Sequence, residues 1–312
     1  MSTSTKIMTP DTSAAAVMAR PWALWAAVAV ATVTAALHTF AQAAPALDAL
    51  MAGDAAAEAR QGLRMMWHGM SAIAWTYPVV LVLLRHRPAA VARPALGCVA
   101  LLNGSQAVMY VATGLGGHGM SGLLSLPEWA LHALVAVLAW HARPARPPGG
   151  PAPQAGPRRS RGRLVLLWIA LAFSAFMAVF HTVSGTFDSW PADLLDSDTA
   201  LDPKLTLYAM WLFSCVLFWT VPLTVVWSLR ARTEAGRFLL AYVAVLVTAL
   251  AVSWTITKAL GIAPGLPPFG PVSLGLIATL TALSARPRPR PDGRNRVCRS
   301  STMHSLRRDH RR

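Results

Sequence analysis

Charge is scarce in this sequence. Asp, Glu, Lys and Arg make up 13% of its 312 residues, 54% are hydrophobic, and the mean hydropathy is positive. A soluble domain carries roughly a quarter charged residues. Cysteine is nearly missing: Cys98, Cys215 and Cys298 stand apart with no C-x-x-C spacing, which excludes a zinc knuckle and a redox dithiol. Strand-like alternation of apolar and polar residues is lacking, and so is a glycine-rich loop of the ATP-binding kind.

What is there comes in long apolar blocks. Eight are expected as helices, near 22–44, 65–84, 95–115, 122–142, 164–185, 206–229, 238–260 and 266–285. Each has about 20 residues, enough to cross a hydrocarbon layer of about 30 Å at 1.5 Å per residue. The expected fold is an all-α polytopic integral membrane protein. The last block is the shortest, because Pro264, Pro267, Pro268 and Pro271 leave a clean run only after residue 271. Arg20 followed by an apolar stretch ending in Ala41-Gln42-Ala43 has the outline of a secretory signal. The long polar segment before it and the recurrence of its His38-Thr39 end later in the chain favour a retained helix.

That recurrence is part of an internal repeat. Trp67, Trp75, Thr76 and Pro78 recur 144 residues later as Trp211, Trp219, Thr220 and Pro222. At an offset of 143, His38-Thr39 matches His181-Thr182 and Ala142-Arg143-Pro144 matches Ala285-Arg286-Pro287. One hydrophobic unit built twice is the simplest reading. The division is then a segment 1–21, a first four-helix unit 22–142, an Arg/Pro/Gly-rich linker 143–163, a second four-helix unit 164–285, and a basic tail 286–312 expected to be disordered. Four helices is an even number, so the two units are predicted to lie the same way up, as parallel repeats.

The formal charge of +15 is distributed by topology and does not signal nucleic acid. The linker 143–163 carries +6, the tail 286–312 +8, and the loops 85–93 and 230–237 +3 and +2, whereas 45–64 and 186–205 carry −1 and −4. Lys and Arg mark the cytoplasmic side. Both termini and the linker are therefore expected inside a cell (inner or plasma) membrane, with the linker and tail against anionic lipid head groups or docking a protein partner. Pro78 and Pro222 are each expected to kink a helix, with the threonine two residues earlier satisfying a nearby carbonyl. Asn103 and Gln106, three apart on one helix face, are expected to bond between helices.

The candidate polar site is a cluster at the outer ends of the first unit. His38 ends helix one, His68 opens helix two, His118 lies in the outer turn, and Glu128 and His132 stand four apart on helix four. Ionisable residues in spans are costly and often functional. Imidazoles with a carboxylate suit proton transfer, a divalent transition metal or haem, with His38, His68 and His132 as the expected ligands. The second unit keeps only His181 and adds Lys258 and an acidic loop with Asp188, Asp193, Asp196, Asp198 and Asp202. Asp196-x-Asp198 lacks the glycine and glutamate of a calcium loop, and no Asp-x-x-x-Asp repeat of the membrane prenyltransferase kind is found. Two four-helix units with histidines near helix ends are similar to haem-handling proteins such as haem A synthase in architecture alone. That family's Gly/Arg-rich outer loop and its histidine pairs in both halves are missing. Three functions remain open from the sequence: a membrane enzyme or redox protein using the His/Glu site, a transporter or exporter of a small lipophilic molecule, and a non-catalytic subunit of a larger complex.

Overall fold

A computed structural model describes residues 20–145, 160–187, 190–231, 233–265 and 269–286. The described residues are almost wholly helical and contain no strand. In chain order the helices are α1 (Pro21–Ala36), α2 (Ala43–Ala52), α3 (Ala57–Leu84), α4 (Ala89–Ser125), α5 (Glu128–His141), α6 (Arg161–Phe187), α7 (Trp190–Asp196), α8 (Leu201–Ala231), α9 (Glu234–Ala259) and α10 (Phe269–Ala285). A π-helical turn, Leu37–Ala41, joins α1 to α2. Six stretches are long and apolar enough to cross a membrane: Pro21–Ala52, Ala57–Leu84, Ala89–Gly117, Arg161–Val183, Leu201–Ala231 and Glu234–Ala259. Two further apolar segments accompany them, the bent pair Gly119–Ser125 with Glu128–His141 and the 17-residue α10.

These helices differ from the sequence expectation at their ends. Helix one does not stop near 44 but passes through the π turn into α2, so much of the expected loop 45–64 is helical. Helix three begins six residues earlier, at Ala89, and tolerates Pro94 within its second turn. The fourth block is no straight helix: it bends by 71° where Leu126 and Pro127 separate two helical pieces. Pro127 precedes the first turn of α5, where a missing N–H costs nothing. Gly119 has φ +60°, and a Cβ at Gly114 would lie 3.0 Å from the Gly122 carbonyl oxygen, so glycine is required at both for the chain to fold back. The eighth block is described as helix from Phe269, as α10. Residues 1–19, most of the linker and the tail beyond Arg286 lie outside the described residues, as do Asp188 and Cys298.

The two Trp-Thr-X-Pro segments make matching contacts. Trp75 Nε1 donates to Thr39 Oγ1 at 3.2 Å, and Trp219 Nε1 donates to Thr182 Oγ1 at 3.2 Å. Both prolines lie inside continuous helices, α3 and α8, and the neighbouring hydroxyls serve backbone carbonyls: Thr76 to Ile73 and Thr220 to Val216. Many other threonines do the same along the helices, which hides hydroxyls from an apolar surrounding.

Packing follows a map with two matching halves. Helix α1 packs on α3 and α5, and α6 packs on α8 and α10; α4 packs on α5, and α9 on α10. Across the halves, α3 packs on α9 and α4 on α8, while the short α2 and α7 lie on α8 and α3. One end of the bundle gathers arginines: Arg20 beside His141, Arg93 donating to the Pro144 carbonyl, Arg85 over Trp25 and Arg87 over Phe238. The other end is acidic. There the backbone N–H of Asp54 donates to Asp198 Oδ1 (3.0 Å) and that of Asp198 to Asp54 Oδ1 (2.9 Å), a reciprocal pair 144 residues apart. Arg60 donates to the carbonyls of Met51 and Gly53, and Lys204 donates to those of Leu195 and Ser197, again 144 residues on.

Close approach between α3 and α7 depends on Gly62, where a Cβ would stand 2.3 Å from the Trp190 ring. Gly62→Ala is expected to destabilise the protein by about 1–3 kcal/mol through overpacking. Thermal unfolding in detergent should show that loss shrink in the Gly62→Ala/Trp190→Ala double variant; a purely additive result would remove this contact from the account.

Candidate functional site

Two histidines that the sequence aligns sit in different chemistry. The imidazole of His38 stacks on the Trp67 indole (ring centroids 4.3 Å apart, 16° between planes), and that of His181 stacks on Trp211 (4.4 Å, 27°). His181 also stacks on Phe218 and its Nε2 lies 2.7 Å from Ser214 Oγ. The Ser214 hydroxyl proton is used on the Trp211 carbonyl at 2.6 Å, so Nε2–H of His181 is the donor to Ser214. His181 is thus satisfied in a regular helix.

His38 is not. It lies on the π-helical turn, an insertion that often marks a functional position. Its Nε2 is buried with no hydrogen-bond partner. The residue placed 144 positions before Ser214 is Met70, which offers no comparable acceptor. Met70, Thr34, Tyr77, Gln106 and His132 line with His38 a small cavity of about 10 Å³. That is the room of a single water molecule.

His132 approaches the cavity from α5 and is fully fixed. Asn103 Nδ2 donates to the Val99 carbonyl at 3.0 Å, which turns Oδ1 toward His132 Nδ1, also at 3.0 Å. Nδ1 therefore carries the proton, and in the neutral ring Nε2 is left as the basic nitrogen. Tyr110 lies parallel to the same imidazole at 6.0 Å and bonds to the Gln106 side chain. Glu128, one turn before His132, accepts from Gln42 Nε2 through Oε1, while Oε2 is buried without a partner. A line of polar groups thus leads toward the cavity: Glu128, held by Gln42, is in electrostatic reach of Tyr110, Tyr110 bonds to Gln106, and Gln106, His132 and His38 line the cavity.

The structure brings together His38, His132 and, at one remove, Glu128. It does not add His68, which is half-buried one residue past Trp67, outside the cavity lining and beside Arg64. The helical rotation of about 100° per residue turns His68 away from the face that Met70, Ile73 and Tyr77 share. His68 thus lies apart from the cavity that His38 and His132 share, and among the described residues no three His, Cys, Asp or Glu side chains are placed to hold a metal ion. His118 falls at the fold-back beside Gly119 and its side chain is not among those described. Lys258 is half-buried near the acidic end of α9, away from this cavity, and His181 belongs to the other half.

Sequence reading missed Gln42, Thr34, Met70, Tyr77 and Tyr110. Gln42 was visible only as part of a small-residue stretch resembling a cleavage site. The tyrosines are isolated polar groups in apolar helices, and Met70 matters only by comparison with Ser214. Asn103 and Gln106 were marked by their spacing: Asn103 bonds to His132 on α5, between helices as expected, whereas the partner of Gln106, Tyr110, is on the same helix.

The corresponding place in the other half is apolar. A crevice of about 20 Å³ there is lined by Leu217, Phe218, Val221, Val247, Leu250 and Leu274 among others. Val247 and Leu250 stand 144 positions after Asn103 and Gln106, and Val221 after Tyr77. Fold and site define a class only: an all-helical, membrane-like bundle with a polar centre in one half of its helices. No protein-family model, curated protein or solved structure matches the chain.

The contrast between the histidines gives a stability test. Ser214→Ala leaves Nε2 of His181 buried without an acceptor and should cost about 1–3 kcal/mol, whereas His38→Phe removes an already orphaned Nε2 along with the ring's bond to the Trp67 backbone and should cost less. Melting curves of the two variants in the same detergent check this, and the reverse order would show His38 to be the structural one.

Proposed function

We propose that the chain is a multi-pass integral membrane protein that passes protons through a buried His/Glu site in its first four-helix unit. The single observation carrying this reading is the unpartnered Nε2 of His38 at a water-sized cavity shared with His132, beside a counterpart, His181, that is satisfied. Two imidazoles on one water can pass a proton by exchanging donor and acceptor roles. Glu128 and Gln42 serve entry from the acidic end. Tyr77, which lines the cavity, is in electrostatic reach of Cys98 and Tyr242; its hydroxyl is buried without a partner, and that of Tyr242 meets the Thr76 side chain. These groups extend the line toward the arginine-rich end.

The architectural part of the proposal is eight spans in two tandem parallel units, both termini cytoplasmic in the cell membrane. The six long apolar stretches, the bent pair and α10 supply eight segments. The matching packing map, the reciprocal Asp54–Asp198 bonds and the paired Trp–Thr bonds support a duplicated unit. Large apolar side chains facing outward, such as Phe40, Leu101 and Val272, suit lipid. The positive linker, tail and loops set the orientation.

Proton flux into vesicles reconstituted with the full chain tests the function. An internal pH dye should report acidification at least about tenfold faster than in protein-free vesicles under an imposed potential, reduced to background by His38→Phe and slowed by Glu128→Gln. Flux equal to protein-free vesicles, or full flux in His38→Phe, would overturn it. An optical Soret band or a stoichiometric metal that His38→Ala removes would replace it with cofactor chemistry. Orientation is checked separately with cysteines placed at residues 54 and 198: both should react with an impermeant label on intact cells, and labelling of a cysteine at 150 instead would invert the topology.

A further inference from the structure

A groove lies away from the histidines, where α3 crosses α9. It has a volume of about 390 Å³ and an almost wholly apolar lining that includes Trp75, Val79, Leu83, Phe238, Tyr242 and Val245. Val79, Leu83 and Val245 are more than half exposed along it. The two helices run in opposite directions, so Leu83 near the end of α3 and Phe238 near the start of α9 mark the same end of the groove. That end is the arginine-rich one. The guanidinium of Arg87 sits 5.5 Å from the centroid of the Phe238 ring, directly past Leu83, and Arg85 and Arg237 flank it in sequence. The groove therefore has two chemistries in order: a long apolar trough, then a cation held over an aromatic ring at its mouth.

We propose that this groove is a binding site for one acyl chain of an anionic phospholipid, whose phosphate is held by Arg87. The inference rests on the membrane reading above and goes beyond it, since anionic head groups were there expected only at the linker and tail. Polarity fits the occupant. A trough with essentially no polar lining recognises hydrocarbon, and the guanidinium fork recognises a phosphate. The position of the cation at the end assigned to the cytoplasmic leaflet, where anionic lipids concentrate, is the complementarity that selects phospholipid over a free apolar molecule. The groove joins α3 of one half to α9 of the other, so a bound chain would also fill the gap between the halves.

Native mass spectrometry of the full chain released from nanodiscs tests this, with phosphatidylglycerol against phosphatidylcholine as the probe lipids. Wild-type protein should retain one phosphatidylglycerol in preference to phosphatidylcholine by about fivefold, as expected for one basic residue at the surface. Arg87→Gln should remove the preference while keeping a retained lipid, and Val79→Trp, which fills the trough, should lose the retained lipid altogether. Val245→Trp on the opposite wall is the second filling variant should Val79→Trp not fold, and Leu101→Trp on an outward face elsewhere is the control that changes nothing. Equal retention of both lipids by wild type, or undiminished retention in both filling variants, overturns the site. Recovery of the chain in the soluble fraction would instead overturn the membrane reading, which membrane fractionation reads independently.

Discussion

The stacking of an imidazole on an indole at the end of a helix is the interaction on which the site depends. In each half it pins the first long helix, α1 or α6, to the next, α3 or α8, and it buries a ring that must then find partners for its nitrogens. A buried ring nitrogen left unpaired costs free energy unless something else meets it. In one half a serine meets it. In the other, a methionine stands where the serine would be, a π turn re-aims the helix end, and a second histidine faces the same small cavity. The two halves share the strain of burying a histidine and resolve it differently.

The surroundings of the cavity reinforce this contrast. Asn103 fixes the tautomer of His132 by committing its own amide to Val99, and Glu128 is held by Gln42, so the polar line is built from groups with determined orientations. Where those groups have counterparts at the same offset, the counterparts are Val, Leu and Val. In a lipid surrounding, an apolar core is the low-cost choice for a helical unit, and a polar one persists when it has work to do. The proposed division of labour, one unit carrying the chemistry and the other serving as scaffold, follows from that asymmetry.

Much of the fold was legible in the sequence because its signals are local. Apolar blocks of helix length and the rigid Trp-Thr-X-Pro segments survive as strings of letters. The acidic end was not legible. Asp54 and Asp198 bond through backbone N–H groups, and Arg60 and Lys204 do one job with different side chains on carbonyl acceptors, so no residue string repeats there. Helices α2 and α7 were hidden for a related reason: they are short, and what holds them is packing on α8 and α3. For the site, His38, His132 and Glu128 were visible by type and depth, while His68 was grouped with them by depth alone and the rotation about α3 separates it.

The central claim is that an unsatisfied His38, and not merely a buried histidine, makes the first half functional. Converting Met70 to Ser supplies the partner that Ser214 gives His181 and leaves the stack on Trp67 intact. Proton flux through vesicles carrying Met70→Ser, compared with Met70→Leu, tests the claim most directly. The account predicts that Met70→Ser, while still folded, falls to the protein-free rate and Met70→Leu conducts like wild type; a Met70→Ser protein that conducts as fast as wild type would contradict it.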